Sequence, residues 1–210
     1  MFNDYSGVII KTPTSTLIFD PVDIELEKIQ YADVIIVTHE HYDHFDAELV
    51  KKLQEQTKAV VVTTPFVGSQ LEVPEDKLTC LKVGESIILG KVKLDALYSD
   101  HPGNQPLTFL ITTDDNLKIY HTSDSRPYQG MKVIGEKNRL DITFCTVDIA
   151  PGTSPESGVE VAKLTKTRVA IPYHTGQPEM LKRFSQIITS DAPGIEVKIL
   201  RKFEIYEYTR

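Results

Sequence analysis

The stretch Thr38-His39-Glu40-His41-Tyr42-Asp43-His44-Phe45-Asp46 decides the reading of this chain. It leaves the uninterrupted apolar run Val34-Ile35-Ile36-Val37 and ends on Asp46, a residue suited to cap a helix that begins at Ala47. Alternate side chains of an extended segment point the same way, so His39 and His41 can face one point in space. Where the chain curls toward the helix, Asp43 and His44 turn to a neighbouring point. A lone histidine is usually a packed or solvated residue. Three histidines and an aspartate within six positions are not, because gathering so many desolvated ionisable groups without a cation costs several kcal/mol per buried charge, on the order of magnitude of ion desolvation in proteins. The spacing predicts two adjacent metal ions.

Two ions need more ligands than one turn supplies. Candidates stand just beyond other predicted strands: His101 after Val92 to Leu97, Asp124 after Leu117 to Tyr120, and His174 after Val169 to Ile171. With these, five of the six histidines are used.

Around these points the sequence reads as mixed α/β. Short β-branched runs cover Val8 to Ile10, Thr16 to Phe19, Val34 to Val37, Val60 to Thr63, Ile87 to Leu89, Val92 to Leu97, Phe109 to Thr112 and Leu117 to Tyr120. Helical spacing marks Ala47 to Gln56, Ser157 to Leu164 and Glu179 to Ile188. The turn-rich segments Pro102 to Pro106, Pro151 to Pro155 and Ala192 to Gly194 are too short to link domains, so residues 1–210 are expected to form one domain.

Composition narrows the function classes. A formal net charge of −7, with acids scattered along the chain, disfavours nucleic acid as a partner. No segment has the apolar length of a membrane span, and Met1-Phe2-Asn3-Asp4-Tyr5 does not resemble an export signal, so no membrane partner and a cytoplasmic setting are expected. Cys80 and Cys145 lie in separate apolar runs and are expected to pack as free thiols.

The motif His-x-His-x-Asp-His at His39, His41, Asp43 and His44 resembles the metallo-β-lactamase superfamily. Asp20, in Leu17-Ile18-Phe19-Asp20-Pro21, is similar to that family's first motif, an aspartate bracing the ligand loop; His101, Asp124 and His174 resemble its third to fifth motifs. The resemblance implies a four-layer αββα sandwich. It also implies a first metal on His39, His41 and His101, a second on Asp43, His44 and His174, and Asp124 bridging them. Ser123 stands where the family has glycine. Ile149-Ala150-Pro151-Gly152 and Val169 to His174 are similar to the branch that includes L-ascorbate-6-phosphate lactonase.

Nitrogen and oxygen ligands without thiolate suit two divalent ions, zinc first and manganese or iron as alternatives. The diiron redox members resemble His-x-Glu-x-Asp-His, whereas His41 stands here at the second position, which favours hydrolysis over reduction. A water held between two metals becomes hydroxide near neutral pH, and Asp43 is expected to orient it and take its proton. At 210 residues the chain is expected to be without the added domains of glyoxalase II, of RNA-cleaving relatives or of tRNase Z. A small-molecule ester, a lactone or sugar-phosphate lactone, is the expected substrate. The rivals are a phosphodiesterase acting on a cyclic nucleotide or RNA end, and a non-catalytic metal or ligand binder on the same fold. Asn104, Gln105, His121, Arg126, Tyr128 and Gln177 are the candidate substrate contacts, and Tyr42, Phe45 and Tyr173 are expected to wall the site. The oligomeric state is left open.

Overall fold

In the computed structural model the described residues are Met1, Asn3 and 5–210; Phe2 and Asp4, part of the N-terminal stretch read above, lie outside them. Period-two patterning organises the fold. In β3 (Val34–Ile36), Val34 and Ile36 join one apolar cluster, while Ile35 and the following Val37 join another on the opposite face. A strand with both faces apolar has to be covered on both sides.

The covering is done by four layers. A five-stranded sheet runs β1 (Val8–Lys11), β2 (Thr16–Phe19), β3, β4 (Val60–Thr63) and β5 (Leu78–Cys80), parallel except for β1 against β2. The second sheet has seven strands in the order β12-β11-β10-β9-β8-β7-β6: β6 (Ser86–Leu89), β7 (Val92–Tyr98), β8 (Leu107–Thr112), β9 (Lys118–His121), β10 (Ile142–Thr146), β11 (Val169–Tyr173) and β12 (Glu196–Val197). Its β6 to β9 half is antiparallel and its β9 to β12 half parallel. Between the sheets lie Leu17, Phe19, Val34 and Ile36 from one side and Leu94, Phe109, Phe144 and Ile171 from the other. Helices α1 (Ala47–Thr57) and α2 (Pro65–Gly68) cover the outer face of the first sheet through Val50, Leu53 and Val67. Helices α3 (Gly130–Asn138), α4 (Pro155–Thr165) and α5 (Pro178–Asp191) cover the second through Met131, Val161, Ala162, Phe184 and Ile188. This is the αββα sandwich.

Asp46 caps α1 as expected, its side chain accepting from the Leu49 N–H at 3.0 Å. Helices α2 and α3 and strands β5, β10 and β12 have no clear signal in the sequence, and α3 and β10 show why. Helix α3 carries Gly130 and Gly135 in its nine residues and has no side-chain cap, so its local preference is weak. It is held by packing on α4: a methyl group on Gly135 would stand 2.2 Å from the Thr165 carbonyl oxygen. Gly135→Ala is therefore expected to destabilise the protein by about 1–3 kcal/mol or more, read from the urea midpoint. Strand β10 is Ile-Thr-Phe-Cys-Thr, its threonines satisfied in the interior by bonds that only the fold creates. Cys145 is buried as expected, but Cys80 is exposed, because β5 is an edge strand.

Asp141 precedes β10 and is fully buried, accepting from Arg210 Nε (2.8 Å) and Nη2 (2.7 Å) and from the Lys118 N–H (2.7 Å). Burial pushes its carboxyl upward, but the bonds from Arg210 and Lys118 outweigh this and leave its pKa below the ordinary 3.8. A lowered native pKa gives stability that is present above the unfolded value and lost as pH falls through the native one. Asp141→Asn is expected to flatten the acid limb of a stability curve, the part measured as pH falls below the ordinary carboxylate value of 3.8.

Candidate metal centre

Strands β2, β3, β7, β9, β10 and β11 all end at the same edge of the sandwich, and the chemistry-bearing residues follow their carboxyl ends. Three of these residues sit in the left-handed region, Asp20 (φ 47°), Ser123 (φ 49°) and His174 (φ 65°), as does Ile149 (φ 63°) in the loop after β10. Each such non-glycine residue costs about 1–3 kcal/mol. At Asp20 and His174 that turn is what brings a side chain back over the strand end.

The ligand atoms fall into two groups: His39, His41, His101 and Asp124, and Asp43, His44, Asp124 and His174, each within 4.8 Å of one another. The resemblance to the metallo-β-lactamase superfamily implies the same two groups. The curl at the motif is made by the N–H groups of His44 and Phe45, both donating to the His41 carbonyl. His41 offers Nδ1, standing 3.1 Å from His39 Nε2 and 3.0 Å from His101 Nε2; His44 Nε2 is 3.0 Å from His174 Nε2. One lone pair or one proton on His41 cannot satisfy both neighbours. Two nitrogens bound to one ion at about 2.0–2.1 Å stand about 2.9–3.4 Å apart, which is the spacing found. Asp124 straddles the groups, Oδ1 lying 3.2 Å from Nε2 of both His44 and His174, and Oδ2 3.7 Å from His101 and 3.9 Å from His39. Its Oδ1 is buried with no hydrogen-bond donor. Asp43 Oδ2 is 3.6 Å from His174 Nε2. These donors fit a pair of divalent cations.

The far ring nitrogens are held as a metal site requires. Asp20 accepts from the Thr38 N–H (2.8 Å), the Thr38 hydroxyl (2.9 Å) and His44 Nδ1 (2.8 Å). The Thr38 oxygen in turn takes the Nδ1–H of His39 at 3.0 Å and the Ser123 hydroxyl at 2.8 Å. His174 Nδ1 donates to the Asp148 carbonyl at 3.3 Å. Each of these histidines is thereby left with its Nε2 lone pair facing inward. Burial holds His39 and His174 below the ordinary imidazole value and His101 down to about 4, the neutral form that ligation needs. His44 differs: burial lowers it, but Asp124 and Asp20 on either side outweigh that and raise it well above 6.5. Burial likewise pushes Asp124 up, and the neighbouring His44 and His174 hold it well below the ordinary carboxylate value.

Other candidates fare differently. His121 is fully buried behind the ligands, stacked on Phe19 with ring centres 4.3 Å apart and edge-on to Tyr173; burial drives its pKa to about 3, and it has no access to substrate. Tyr173 is also core, its hydroxyl donating to the Ser123 carbonyl, and does not wall the site. Asn104 and its backbone N–H both donate to Glu40, tying the two ligand loops together. Tyr128 donates to the Tyr98 carbonyl, and Gln177 to Asp148. Gln105 is exposed in a turn at φ 60°. Arg126 pairs with Asp100 at 2.8 Å and packs over Gly152. Arg126→Ala should leave bound metal unchanged and move KM less than about threefold, since a half-exposed ion pair contributes at most about 1 kcal/mol. Sequence reasoning missed Thr38, Ser123 as a hydroxyl donor, Asp100 and Asp148. Their roles arise from partners distant along the chain.

A double imidazole–carboxylate cluster at the common strand ends of an αββα sandwich defines a metal-dependent hydrolase of the metallo-β-lactamase fold. The chain belongs to the beta-lactamase superfamily domain family, whose model matches residues 1–174. It is 29% identical over 174 residues to a UPF0173 protein of Pyrococcus abyssi, covering 80% of this chain and 79% of the relative. It is 26% identical over 227 residues to the UPF0173 metal-dependent hydrolase YtkL of Bacillus subtilis, covering 98% of each. Among solved structures, Igni18, a metallo hydrolase of Ignicoccus hospitalis, superposes with a TM-score of 0.85 at 18% identity, over 100% of this chain and 98% of that one. No helix among the described residues is long and apolar enough to cross a membrane.

Proposed function

We propose that the protein hydrolyses a small carboxylic ester, a lactone before others, with two zinc ions, in a cytoplasmic setting. The observation that carries this reading is Asp124, whose two oxygens face separate imidazole groups. Ions held by these two groups would make water acidic enough to ionise near neutral pH and would polarise a carbonyl oxygen. Asp43 is the ligand carboxylate that reaches solvent, its side chain 13% exposed against 3% for Asp124. It is therefore the group placed to orient an attacking water and accept its proton. Asp20, Thr38 and Asp148 keep the imidazoles from turning.

Resemblance to the L-ascorbate-6-phosphate lactonase branch puts a lactone first. An acyl centre is favoured over a phosphodiester because Arg126, the cationic side chain nearest in sequence to the ligands, is already paired with Asp100. The test is metal analysis of the purified protein, followed by turnover of a lactone panel and of bis(4-nitrophenyl) phosphate. Lactone opening in step with zinc content supports the reading. Cleavage of the phosphodiester alone would replace it with a phosphodiesterase, and full metal with no turnover of either would leave a binding protein.

A further inference from the structure

Beside Asp43 the surface opens into a cleft of about 510 Å³, walled in part by Tyr42 and Phe45 of the ligand motif and in part by residues distant from it in sequence. Its walls are apolar and aromatic, made by Tyr5, Val22, Tyr42, Phe45 and Ile149. Two of these are unusually exposed for their size, Tyr42 at 84% and Ile149 at 49%. Both are adjacent to the metal centre, Tyr42 next to Asp43 in the chain and Ile149 next to Asp148, whose carbonyl orients His174. Ile149 is moreover a β-branched residue in the left-handed region, a conformation such side chains avoid. Around it the loop is pinned by the Ala150 N–H donating to the Asp148 carbonyl at 2.7 Å and by Thr153 donating to the carbonyls of Asp148 and Ala150. A strained, pinned loop that presents an isoleucine to solvent beside a ligand set is a feature the fold itself does not need.

The charge of the cleft is one-sided. Its remaining lining groups are carboxylates: Asp23, which accepts from the Tyr5 hydroxyl, and Asp46, engaged with the Leu49 N–H, together with Asp43 itself. No Lys, Arg or His lines it among the described residues, and Phe2 and Asp4 in the adjoining sequence are not basic. Away from the metal ions that Asp43 would help to hold, a phosphate or carboxylate entering here would meet the charges of Asp23 and Asp46 and no lysine, arginine or histidine.

We infer that this cleft receives an uncharged, apolar substituent of the substrate, an alkyl or aryl group on the ester or lactone, and selects against a phosphorylated one. The inference rests on reading the metal centre as that of an ester hydrolase and narrows its substrate class, keeping the lactone and setting aside the sugar-phosphate lactone that the branch resemblance also implies. Binding and turnover test it separately. Hydrolysis-resistant γ-lactams bearing ethyl, butyl and hexyl chains, and one bearing a phosphorylated butyl chain, are titrated into the zinc-reconstituted and metal-free protein by calorimetry. Each added methylene is expected to tighten Kd about two- to fourfold in both forms, the range expected for a partly to fully buried methylene. The phosphorylated lactam should bind at least about tenfold more weakly than its neutral counterpart. Ile149→Asp and Tyr42→Asp, both at exposed loop positions, should erase the dependence on chain length. Equal or tighter binding of the phosphorylated compound, or binding indifferent to chain length, would overturn the inference. The matching lactones are then assayed for hydrolysis. Lactams that bind with the expected slope while no lactone is opened would uphold the cleft and sink the hydrolase reading; lactones opened without regard to chain length would do the reverse.

Discussion

Asp124→Ala is expected to strip the metal centre and lower kcat/KM at least about a thousandfold, on the order of 4 kcal/mol of transition-state stabilisation. The size of the effect follows from position. Asp124 is the one residue common to both ligand groups, and it is buried, so no water or neighbouring carboxylate can take its place without rearrangement. Its loss also leaves His44, flanked otherwise only by Asp20, and the inward-facing imidazoles of His39, His101 and His174 with less negative charge to hold a cation. His41→Ala is a useful partner experiment. His41 contacts only the His39 and His101 side, so it should reduce metal in one group and spare the other. Metal content after gel filtration, read beside turnover, checks both variants. Full occupancy and full activity in Asp124→Ala would mean that the ligand assignment is wrong.

The second large effect is expected at a residue that touches no metal ligand atom on the cation side. Asp20 binds the Thr38 N–H, the Thr38 hydroxyl and His44 Nδ1 from a fully buried position. Asparagine tolerates its left-handed backbone, so Asp20→Asn tests the charge alone. Removing the carboxylate behind a metal-binding histidine lowers metal affinity about 10- to 100-fold. Asp20→Ala should do the same and in addition cost about 1–3 kcal/mol of stability, because the buried Thr38 N–H loses its acceptor. Zinc affinity from chelator competition and the thermal midpoint separate the two contributions. Unchanged affinity in Asp20→Asn would show that His44 is oriented by packing instead.

Much of the layering could be read along the chain, because burial on both faces of β3 and alternation in β7 are properties of neighbouring residues. Helix α3 could not, since its Gly135 makes sense only against the Thr165 carbonyl. The same boundary runs through the site. His39, His41, Asp43 and His44 announce themselves by spacing, and His101, Asp124 and His174 by standing just past strand ends, whereas Asp20 is marked only by the family resemblance. His121 could be read from sequence as a substrate contact or as a packed residue, and β9 turns it inward between Phe19 and Tyr173. For Arg126 the sequence leaves a substrate contact and a surface ion pair both open, and the pairing with Asp100 comes from the tertiary structure.

What the sequence determined by itself, then, was the kind of chemistry: a set of nitrogen and oxygen donors too dense to be buried without cations, carried on strands that must be covered on both sides. Tertiary structure decided the distances at which those donors stand, which buried side chains fix their far nitrogens, which polar side chains are already spent on each other, and that the cleft beside Asp43 is walled by apolar and acidic side chains. The physical reason is range. Residue type and strand or helix period act between near neighbours, whereas hydrogen bonds, ion pairs and cavity walls join residues as far apart as His44 and His174, which only the closed sandwich brings to 3.0 Å.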